Sequence, residues 1–363
     1  MARAQSRRRS HVVSFSRRRR RTWAFHPRSQ ASGTWRSFDP VTDWDPIAGR
    51  RGPRLDTRPG TAPPRMPRYA LAHVSAGGLS VRTLVVPAAG LGSRLLPLTA
   101  AVPKELLPLV DRPALDYLLE EAAQAGVTDL VVITRSSKRG IEEYLSQTAP
   151  GHPGARMRIR FVHQEAPLGL GHAVLLAAPL IADADATFAV ALPDDILCGG
   201  CCLADMVAVS ERTGRAVVAV RRVPLTEASR YGIVAASQTA PGLHEVWDLV
   251  EKPAPADAPS DLAVVGRYVL PHAIFGLLER LAPGRGGEIQ LTDALRQLAR
   301  LHPLLAYEFP GRVLDIGGHS GYLQATVELA LAHPEIGHGF ATFLGDVMAG
   351  QAAAAGVNDV PER

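Results

Sequence analysis

Hydrophobic and polar positions follow two periods in this chain after residue 82. Short aliphatic and β-branched runs, typical of buried strands, are separated by longer segments in which apolar residues recur every three or four positions, as in amphipathic helices. Leu84–Val86 is the first such run, and the pattern continues to about Ala332. Strands that alternate with helices predict an α/β fold, with an open, mixed and mostly parallel sheet covered by helices on both faces.

The pattern predicts nine strands and seven helices. A proline at the start of the first helix and Gly126 just past its end mark that helix clearly. The strands are Leu84–Val86, Leu130–Ile133, Arg158–His163, Thr187–Leu192, Ala216–Val223, Tyr231–Val234, Val246–Val250, Ala263–Val269 and Val313–Asp315. The helices are Pro113–Ala125, Arg139–Leu145, Gly171–Ala178, Leu203–Arg212, Pro271–Glu279, Gln290–Leu301 and Tyr322–Ala332.

Charge divides the chain into a basic N-terminal segment and an acidic remainder. Residues 1–82 contain 18 Arg, 4 Asp and neither Lys nor Glu, whereas the rest of the chain contains 22 basic and 31 acidic residues. The net charge of +5 therefore says nothing about the partners of the acidic part. Residues 1–81 have no helical or strand period and are expected to be a disordered, Arg-rich extension. Residues 82–346 form the expected folded domain, and the Ala-rich residues 347–363 a flexible tail.

The Arg-rich extension has two interpretations. Runs such as Arg17–Arg21 are typical of arms that bind nucleic acid, but a basic run alone is a weak motif. We therefore expect a dispensable extension and no nucleic-acid partner; Met66 is an alternative translation start. The N-terminus lacks a secretory pattern, and no apolar run reaches the length of a membrane span. Cys198, Cys201 and Cys202 are too close together to crosslink distant segments, so we expect a reduced, cytoplasmic protein with no membrane association.

A glycine-rich turn follows the first predicted strand. Its glycines let the backbone approach a bulky anion, and the N–H groups of such a turn can point at phosphate oxygens. Arg94 adds a forked cation, and Lys104 adds a compact one. A Walker A loop would need Lys where Ser93 follows Gly92, and a dinucleotide fingerprint would need a third glycine where Leu95 stands. The segment instead predicts a triphosphate site.

Two acidic residues lie at the ends of predicted strands. Asp194 follows Thr187–Leu192, and Asp315 ends the last strand. Ligands of open α/β sheets bind at such strand ends. Asp194 alone could be a helix cap, but together with Asp315 and Lys252 it favours a metal and phosphate site. Only three of the 40 basic residues are lysines, and Lys104 and Lys252 both stand in candidate phosphate motifs, where a compact ammonium fits a crowded site.

The strings A-G-L-G-S-R-L-L-P and P-K-E-L-L-P-L-V-D-R-P resemble the signature of nucleotide-sugar pyrophosphorylases, in the form found in bacterial UTP–glucose-1-phosphate uridylyltransferases. The resemblance runs from about Leu84 to about Leu344. It implies a Rossmann-like nucleotide-diphospho-sugar transferase fold and a homo-oligomer, either a dimer or a tetramer. It also implies that residues 82–346 convert UTP and α-D-glucose 1-phosphate to UDP-glucose and diphosphate with Mg²⁺ as cofactor. Positioning and charge neutralisation would carry that catalysis.

The resemblance also implies roles for the candidate residues. Arg94 would neutralise the departing β- and γ-phosphates, Lys104 would lie at the α-phosphate, and Lys252 would bind the sugar phosphate. With Asp194, these are the implied catalytic residues. Asp194 and Asp315 would hold Mg²⁺, which prefers few, hard oxygen ligands. The other implied binding residues are Ala89, Gly90, Leu91, Gly92 and Ser93 for UTP, Gln164 and Gly169 for the uracil, and Gly232, Glu251, Gly266 and Arg267 for the sugar.

Three alternatives stay open at this point. Thymidylyl transfer from dTTP shares the fold and the metal chemistry, although P-K-E-L-L-P, L-P-D-D-I-L and E-I-Q-L-T-D-A favour the uridylyl branch. A non-catalytic sensor of nucleotide sugars, with a nucleic-acid-binding arm, would need a damaged metal site, and Asp194, Asp315 and Lys252 are all present. Zinc at the three cysteines is disfavoured, because structural zinc usually needs a second, distant pair of ligands.

Overall fold

The structure of the protein, a computed structural model, describes residues 81–148, 151–181 and 186–356. The expected extension of residues 1–81 lies, apart from Val81, outside this range. The strands are β1 (Thr83–Pro87), β2 (Pro108–Leu109), β3 (Arg112–Pro113), β4 (Asp129–Thr134), β5 (Arg158–His163), β6 (Thr187–Ala191), β7 (Asp195–Cys198), β8 (Ala216–Arg222), β9 (Gly232–Ala240), β10 (Leu243–Glu251), β11 (Leu262–Pro271), β12 (Leu304–Glu308) and β13 (Arg312–Asp315). The helices are α1 (Ala114–Gln124), α2 (Arg139–Ser146), α3 (Leu170–Leu175), α4 (Cys202–Thr213), α5 (Ile274–Leu278), α6 (Leu291–Leu301), α7 (His319–Ala332) and α8 (Gly337–Gly356).

A nine-stranded mixed sheet forms the centre of the domain, in the order β5-β4-β1-β6-β11-β8-β12-β10-β9. The first four strands of that order pair in parallel. Beyond β6 the pairings are antiparallel, except that β8 and β12 are parallel. The sheet is mixed, as predicted, but its mostly parallel character holds only for the part that carries the glycine turn. Beyond β6, every neighbouring pair but β8 and β12 is antiparallel.

Helices cover both faces of the sheet, which confirms the predicted α/β class. Alternate residues of β1 point to opposite faces: Val85 packs with α3, α5 and α6, whereas Leu84 and Val86 pack with α1, α2 and α4. These strand residues are fully buried. Strands buried on both faces read as continuous apolar runs rather than as alternating ones, which explains why the sequence shows L-V-V here.

A two-stranded ribbon lies beyond the end of β6. It pairs β7 with β13 in antiparallel register, with Asp315 opposite Asp195. The pairing brings the two predicted aspartate positions together, although they are far apart in sequence. The ribbon is thus the element that assembles the site, and its first strand, β7, was not predicted.

Two predicted segments differ from the structure. Residues 347–356, expected to be part of a flexible tail, continue α8 to Gly356, because alanine has the highest intrinsic helix propensity. The helix predicted over Pro271–Glu279 is only Ile274–Leu278, since β11 runs through Pro271. None of the helices in the described ranges combines the length and apolar character that crossing a bilayer requires.

Candidate active site

A cleft of about 480 Å³ lies beyond the carboxyl end of β6 and against β11. Its volume falls within the usual range for small-molecule sites. Charged groups of both signs line it, together with backbone made accessible by glycines. Seven of the sequence-predicted site residues contribute to its lining: Arg94, Asp194, Gly232, Glu251, Lys252, Gly266 and Asp315.

The glycine turn after β1 is folded back on itself near one end of the cleft. Gly92 has a positive φ of 64°, which favours glycine. Its carbonyl oxygen accepts a hydrogen bond from Thr99 Oγ1 at 2.8 Å. Ala89 is buried, while Gly90, Leu91 and the following residues are exposed or half-buried. The turn therefore has a rigid base and an open outer surface on which backbone groups are available to a ligand.

Lys104 and Asp194 form a tight ion pair at the base of this end. Nζ lies 2.5 Å from Asp194 Oδ2, and the two side chains are 15% and 19% exposed. Burial alone would lower the pKa of Lys104, but Asp194 and Glu105 outweigh it, so the pKa is raised. Burial would likewise raise the pKa of Asp194, but the charge and the hydrogen bond of Lys104 lower it. Both groups are therefore charged at neutral pH.

A second, fully internal ion pair supports Lys104. The Lys138 ammonium donates to both oxygens of Glu105 at 2.9 Å and to the Ala88 carbonyl at 2.8 Å. Glu105 follows Lys104 directly and is only 1% exposed. Burial raises the pKa of Glu105 and lowers that of Lys138. The pair fastens the P-K-E segment to the end of β1. Sequence reasoning missed it, although Lys138 is one of just three lysines in the chain.

Asp194, Asp315 and Arg94 surround one point in the cleft. A β-carbon built on Gly317 would lie 2.7 Å from Arg94 Nη2, 2.9 Å from Asp315 Oδ1 and 3.4 Å from Asp194 Oδ2. Because residue 317 is glycine, these three charged side chains can lie close together there. The main chain holds the arrangement, since Ile316 N donates to the Asp194 carbonyl at 2.9 Å. Two carboxylates and a guanidinium thus meet beside Gly317, and a cation with attached phosphate needs charges of both signs.

Asp195 has a different environment from its neighbour. Its Oδ2 accepts a hydrogen bond from Gly266 N at 3.0 Å. Burial, and then the charge of Asp194, raise the pKa of Asp195 to about 7. Any side chain at position 266 would overlap this carboxylate, because a β-carbon there would lie 2.6 Å from Asp195 Oδ2. Gly266 is therefore required for the packing of Asp195 against β11, in addition to its position on the cleft wall.

A second group of lining residues, termed the other end of the cleft, lies at the end of β10 and the start of α6. Thr292 Oγ1 donates to Glu251 Oε2 at 2.7 Å, and Lys252 Nζ lies 3.1 Å from Glu251 Oε1. Lys252 has a positive φ of 46°, a conformation that is uncommon outside glycine and is often found at functional sites. A β-carbon on Gly232 would touch both Thr292 and Glu251. Thr292 lies in the E-I-Q-L-T-D-A string, and the sequence pattern assigns this residue no role.

Arg230 is a cleft residue that sequence reasoning missed. Its guanidinium lies 3.5 Å from Asp315 Oδ2 and above the ring of Tyr231. It also contacts Glu227. Arg230 is more than half exposed, so its contribution depends on what binds beside it. In the sequence, one feature of Arg230 indicated a place in the cleft: it lies just before the predicted strand at Tyr231.

The side chain of Arg267 points away from the cleft, so its contact with the sugar stays a prediction for the backbone at this position. Gly266 lines the cleft, so the next residue of the same strand points to the opposite face. Arg267 is 1% exposed and is paired with Glu121 at 2.8 Å. The alternation along β11 was visible in the sequence, because Val265 and Val269, on either side of Arg267, are core residues.

Gln164 and Gly169, assigned to the uracil, lie outside the lining of this cleft. The Gln164 amide donates to the Gly169 carbonyl at 3.1 Å and to His172 Nδ1 at 2.8 Å. Gly169 has a φ of 95° and lies so close to Ile289 O that a β-carbon would be 2.7 Å away. Glycine is therefore needed at position 169 for packing. The contacts of Gln164 and Gly169 with the uracil stay predictions.

The three cysteines are free thiols in the structure. Burial raises the pKa of the thiols of Cys198, Cys201 and Cys202, so the unbound thiols are mostly protonated at neutral pH. Among the residues that the structure describes, no three or more His, Cys, Asp or Glu side chains gather into a metal-binding cluster. A metal held by two carboxylates would therefore need further ligands, such as substrate phosphates and water.

Comparisons with known proteins show to which family the sequence of this chain is related. The sequence matches the nucleotidyl transferase family over residues 84–331. The chain belongs to the nucleotidyl transferase family. Among curated relatives, the UTP–glucose-1-phosphate uridylyltransferase YngB of Bacillus subtilis is 42% identical over 286 residues, which cover 74% of this chain and 96% of the relative. The UTP–glucose-1-phosphate uridylyltransferase of Pseudomonas aeruginosa is 40% identical over 266 residues, covering 68% and 95%.

Solved structures of family members agree with the fold. A UDP-glucose pyrophosphorylase crystallised with UDP-glucose superimposes with a TM-score of 0.65 at 37% identity, covering 69% of this chain and 98% of that one. A UTP-bound UDP-glucose pyrophosphorylase from Acinetobacter baumannii gives 0.65 at 36% identity, covering 73% and 98%. The nucleotidyl transferase fold thus accounts for nearly the whole length of those proteins.

Proposed function

We propose that this nucleotidyl transferase is a UTP–glucose-1-phosphate uridylyltransferase. An oxygen of the glucose 1-phosphate attacks the α-phosphorus of UTP, the bond from that phosphorus to the oxygen bridging to the β-phosphate breaks, and diphosphate leaves. The second pKa of a phosphate monoester is about 6, so the attacking oxygen is already ionised at neutral pH. The protein then needs no general base, and its task is to position two anions and to neutralise their charge.

The end of the cleft near the glycine turn suits the nucleotide. Backbone N–H groups of Gly90–Ser93 would face the UTP phosphates, and Arg94 would neutralise the departing β- and γ-phosphates. Lys104, fixed by Asp194 and by the segment that Glu105 anchors, would lie at the α-phosphate. A preorganised cation in a poorly hydrated site stabilises developing charge more strongly than one in water.

Asp194 and Asp315 are suited to Mg²⁺. Both carboxylates lie beside Gly317, where any larger residue would displace them. Two carboxylates are a small donor set, as Mg²⁺ requires when it keeps water and substrate phosphate ligands. When bound, the ion would neutralise phosphate charge and help to orient the two substrates. The residues' own part is to hold both carboxylates at one edge of the cleft.

The end formed by Glu251, Lys252 and Thr292 suits the sugar phosphate. Lys252 would bind the phosphate of glucose 1-phosphate, and Glu251 would accept hydrogen bonds from sugar hydroxyls. Gly232 would let the sugar approach the backbone, since a β-carbon there would lie 3.3 Å from Glu251 Oε2. The single observation that supports the function best is that Arg94, Asp194, Asp315, Glu251 and Lys252 line one cleft, with Lys104 paired to Asp194 behind it.

A substrate panel tests the proposal directly. Diphosphate release is measured with glucose 1-phosphate and UTP, dTTP, CTP or GTP in turn, with Mg²⁺ and with EDTA. We expect the highest kcat/KM with UTP and no turnover in EDTA. Preference for dTTP would favour the thymidylyl alternative, and release with none of the four would contradict nucleotidyl transfer. Galactose 1-phosphate, an epimer, serves as the control for sugar selection, because a hydrogen-bonding site rejects a misplaced hydroxyl strongly.

Two accompanying proposals concern the state of the protein. A reduced, cytoplasmic enzyme is supported by the free thiols of Cys198, Cys201 and Cys202. A homo-oligomer is supported by the exposed apolar residues of α8, including Phe343 and Met348. Light scattering coupled to size exclusion would measure the oligomeric state, and a mass corresponding to one chain at micromolar concentration would contradict the second proposal.

A further inference from the structure

Arg267 is a completely buried arginine that uses its whole guanidinium. Nε and Nη2 donate to Glu121 Oε2 at 3.0 and 2.8 Å, which gives a forked contact between β11 and α1. The other Glu121 oxygen accepts from Leu203 N at 2.9 Å. Leu203 lies in the first turn of α4, so its N–H has no acceptor within the helix. A negative charge is favourable at that end of a helix. One carboxylate thus joins the strand to two helices on the same face.

The opposite edge of the guanidinium contacts the turn that carries Asp194. Nη1 donates to the Leu192 carbonyl at 2.8 Å, and Nη2 donates to the Asp195 carbonyl at 2.9 Å. These two acceptors lie on either side of Asp194 in the chain. The same turn is attached to β11 by a hydrogen bond from Leu192 N to the Gly266 carbonyl at 2.7 Å. The turn between β6 and β7 is therefore held at both ends by adjacent residues of one strand.

Asp194 is connected onward to Asp315 through the main chain. Its carbonyl accepts the Ile316 N–H at 2.9 Å, and Asp315 Oδ1 accepts the Gly317 N–H at 2.8 Å. We propose that Arg267 and Glu121 are positioning residues for the reaction, which hold the backbone around Asp194 so that its carboxylate and that of Asp315 stay together beside Gly317. This inference rests on the proposed metal-assisted transfer and extends it to two residues outside the lining of the cleft.

A structural role alone is a poor explanation for a charged pair at this place. Buried ion pairs add little to stability compared with apolar residues of the same volume, because both charges lose their hydration. The planar guanidinium of arginine, in contrast, holds two hydrogen-bond acceptors at a fixed separation. Neither lysine nor an apolar side chain can do this. Groups that orient metal ligands from behind typically change metal affinity or activity by 10–100-fold. The pair around Arg267 has the geometry of such a support.

The test separates geometry from stability with two variants. Arg267→Lys keeps the charge but loses the fork. The double variant Glu121→Leu/Arg267→Met removes both charges together, so no buried ion is left without a partner. Mn²⁺ is used as the probe of the metal site, and its binding in the presence of UTP is titrated by electron paramagnetic resonance. Melting temperature, UTP affinity in EDTA, and kcat are measured on the same samples.

We expect both variants to bind Mn²⁺ about 10–100-fold more weakly and to lose kcat by a similar factor. UTP affinity in EDTA should not change, since it depends on the glycine turn and on Arg94 and Lys104. The double variant should fold but melt below the wild type, because Leu203 N and the carbonyls of Leu192 and Asp195 lose their hydrogen-bond partners. Asp116→Asn/Tyr144→Phe is the control. It removes a hydrogen-bonded pair anchored on the same helix α1 that does not reach the turn around Asp194, and should leave Mn²⁺ affinity unchanged.

A folded double variant with wild-type Mn²⁺ affinity and kcat would overturn the inference. If the double variant does not fold, Arg267→Lys decides, and wild-type Mn²⁺ affinity in that variant is the contradicting result. Failure of the wild-type protein to release diphosphate from UTP and glucose 1-phosphate would instead overturn the proposed function. The Mn²⁺ comparison has its own readout, so the two failures are distinguishable.

Discussion

The two ends of the cleft carry similar residues in very different surroundings. At the end near the glycine turn, Lys104 and Asp194 are 15% and 19% exposed and lie 2.5 Å apart. At the other end, Lys252 is 47% exposed and lies 3.1 Å from Glu251. The first pair is supported from behind by the buried contact of Glu105 with Lys138. The second pair is supported by a single hydroxyl, that of Thr292.

This difference in exposure indicates that the two ends have different roles in the reaction. Charges that are shielded from water interact strongly and hold one geometry, whereas an exposed pair is screened and contributes little. The end near the glycine turn is therefore preorganised for the atoms that react. The end near Lys252 is open and gains its interactions only when a substrate arrives. Substitutions at the first end should mainly lower kcat, and substitutions at the second should mainly raise KM.

The largest effect is expected for Asp194→Asn. The substitution keeps the shape of the side chain but removes a charge from the proposed metal site, and loss of several kcal/mol of charge stabilisation corresponds to at least about 10³-fold in kcat. Diphosphate release at saturating UTP and glucose 1-phosphate is the measurement, with circular dichroism as the check on folding. Asp346→Asn, on exposed α8, is the control and should be fully active. A folded Asp194→Asn protein with normal kcat would rule out the metal role.

A methyl group placed at Gly317, between Arg94 and the two aspartates, should give the next largest effect. In Gly317→Ala the new carbon would lie 2.7 Å from Arg94 Nη2 and 2.9 Å from Asp315 Oδ1. Both groups would be displaced, and misplacement by about 1 Å can cost roughly 10²-fold in rate. Gly318→Ala is a matched control, because nothing lies within 4 Å of a β-carbon there. Equal kcat in the two variants would show that the space above Gly317 is not where the reacting groups meet.

Lys252→Ala should separate the two ends of the cleft. A charged hydrogen bond contributes about 1.5–3 kcal/mol, so its loss should raise the KM for glucose 1-phosphate by roughly 10- to 100-fold. The KM for UTP should change much less, because Lys252 lies at the far end from the glycine turn. Initial rates with each substrate varied in turn give both values. A larger rise in the KM for UTP would mean that the two phosphates bind in the reverse order to the one proposed.

The sequence predicted the parts of this site that depend on short, local patterns. The glycine turn, Asp194 at the end of a strand and the E-K-P segment with Lys252 could each be found within a few residues. The contacts between distant segments could not: the Glu105–Lys138 pair joins residues 33 positions apart, and Glu121 meets Arg267 across 146 positions. Such pairs depend on which helix covers which face of the sheet. The Arg267 side chain lies on the opposite face of β11 from Gly266 because side chains alternate along a strand, and a motif of adjacent residues does not show which face is which.

The smallest effect is expected for Thr292→Val, which tests the end near Lys252 most finely. The change removes the hydroxyl that donates to Glu251 at 2.7 Å and keeps the volume of the side chain. A hydrogen bond of this kind contributes about 0.5–1.5 kcal/mol, so the KM for glucose 1-phosphate should rise by roughly 2- to 10-fold. Thr326→Val, which removes a hydroxyl bonded within α7, is the control and should leave both KM values unchanged.

Because the carboxylate of Glu251 would turn without leaving the cleft, the kcat of Thr292→Val should stay within about twofold of wild type. A fall in kcat at unchanged KM would place Glu251 among the groups that act on the reacting phosphates, and the two ends would then differ in exposure but not in function.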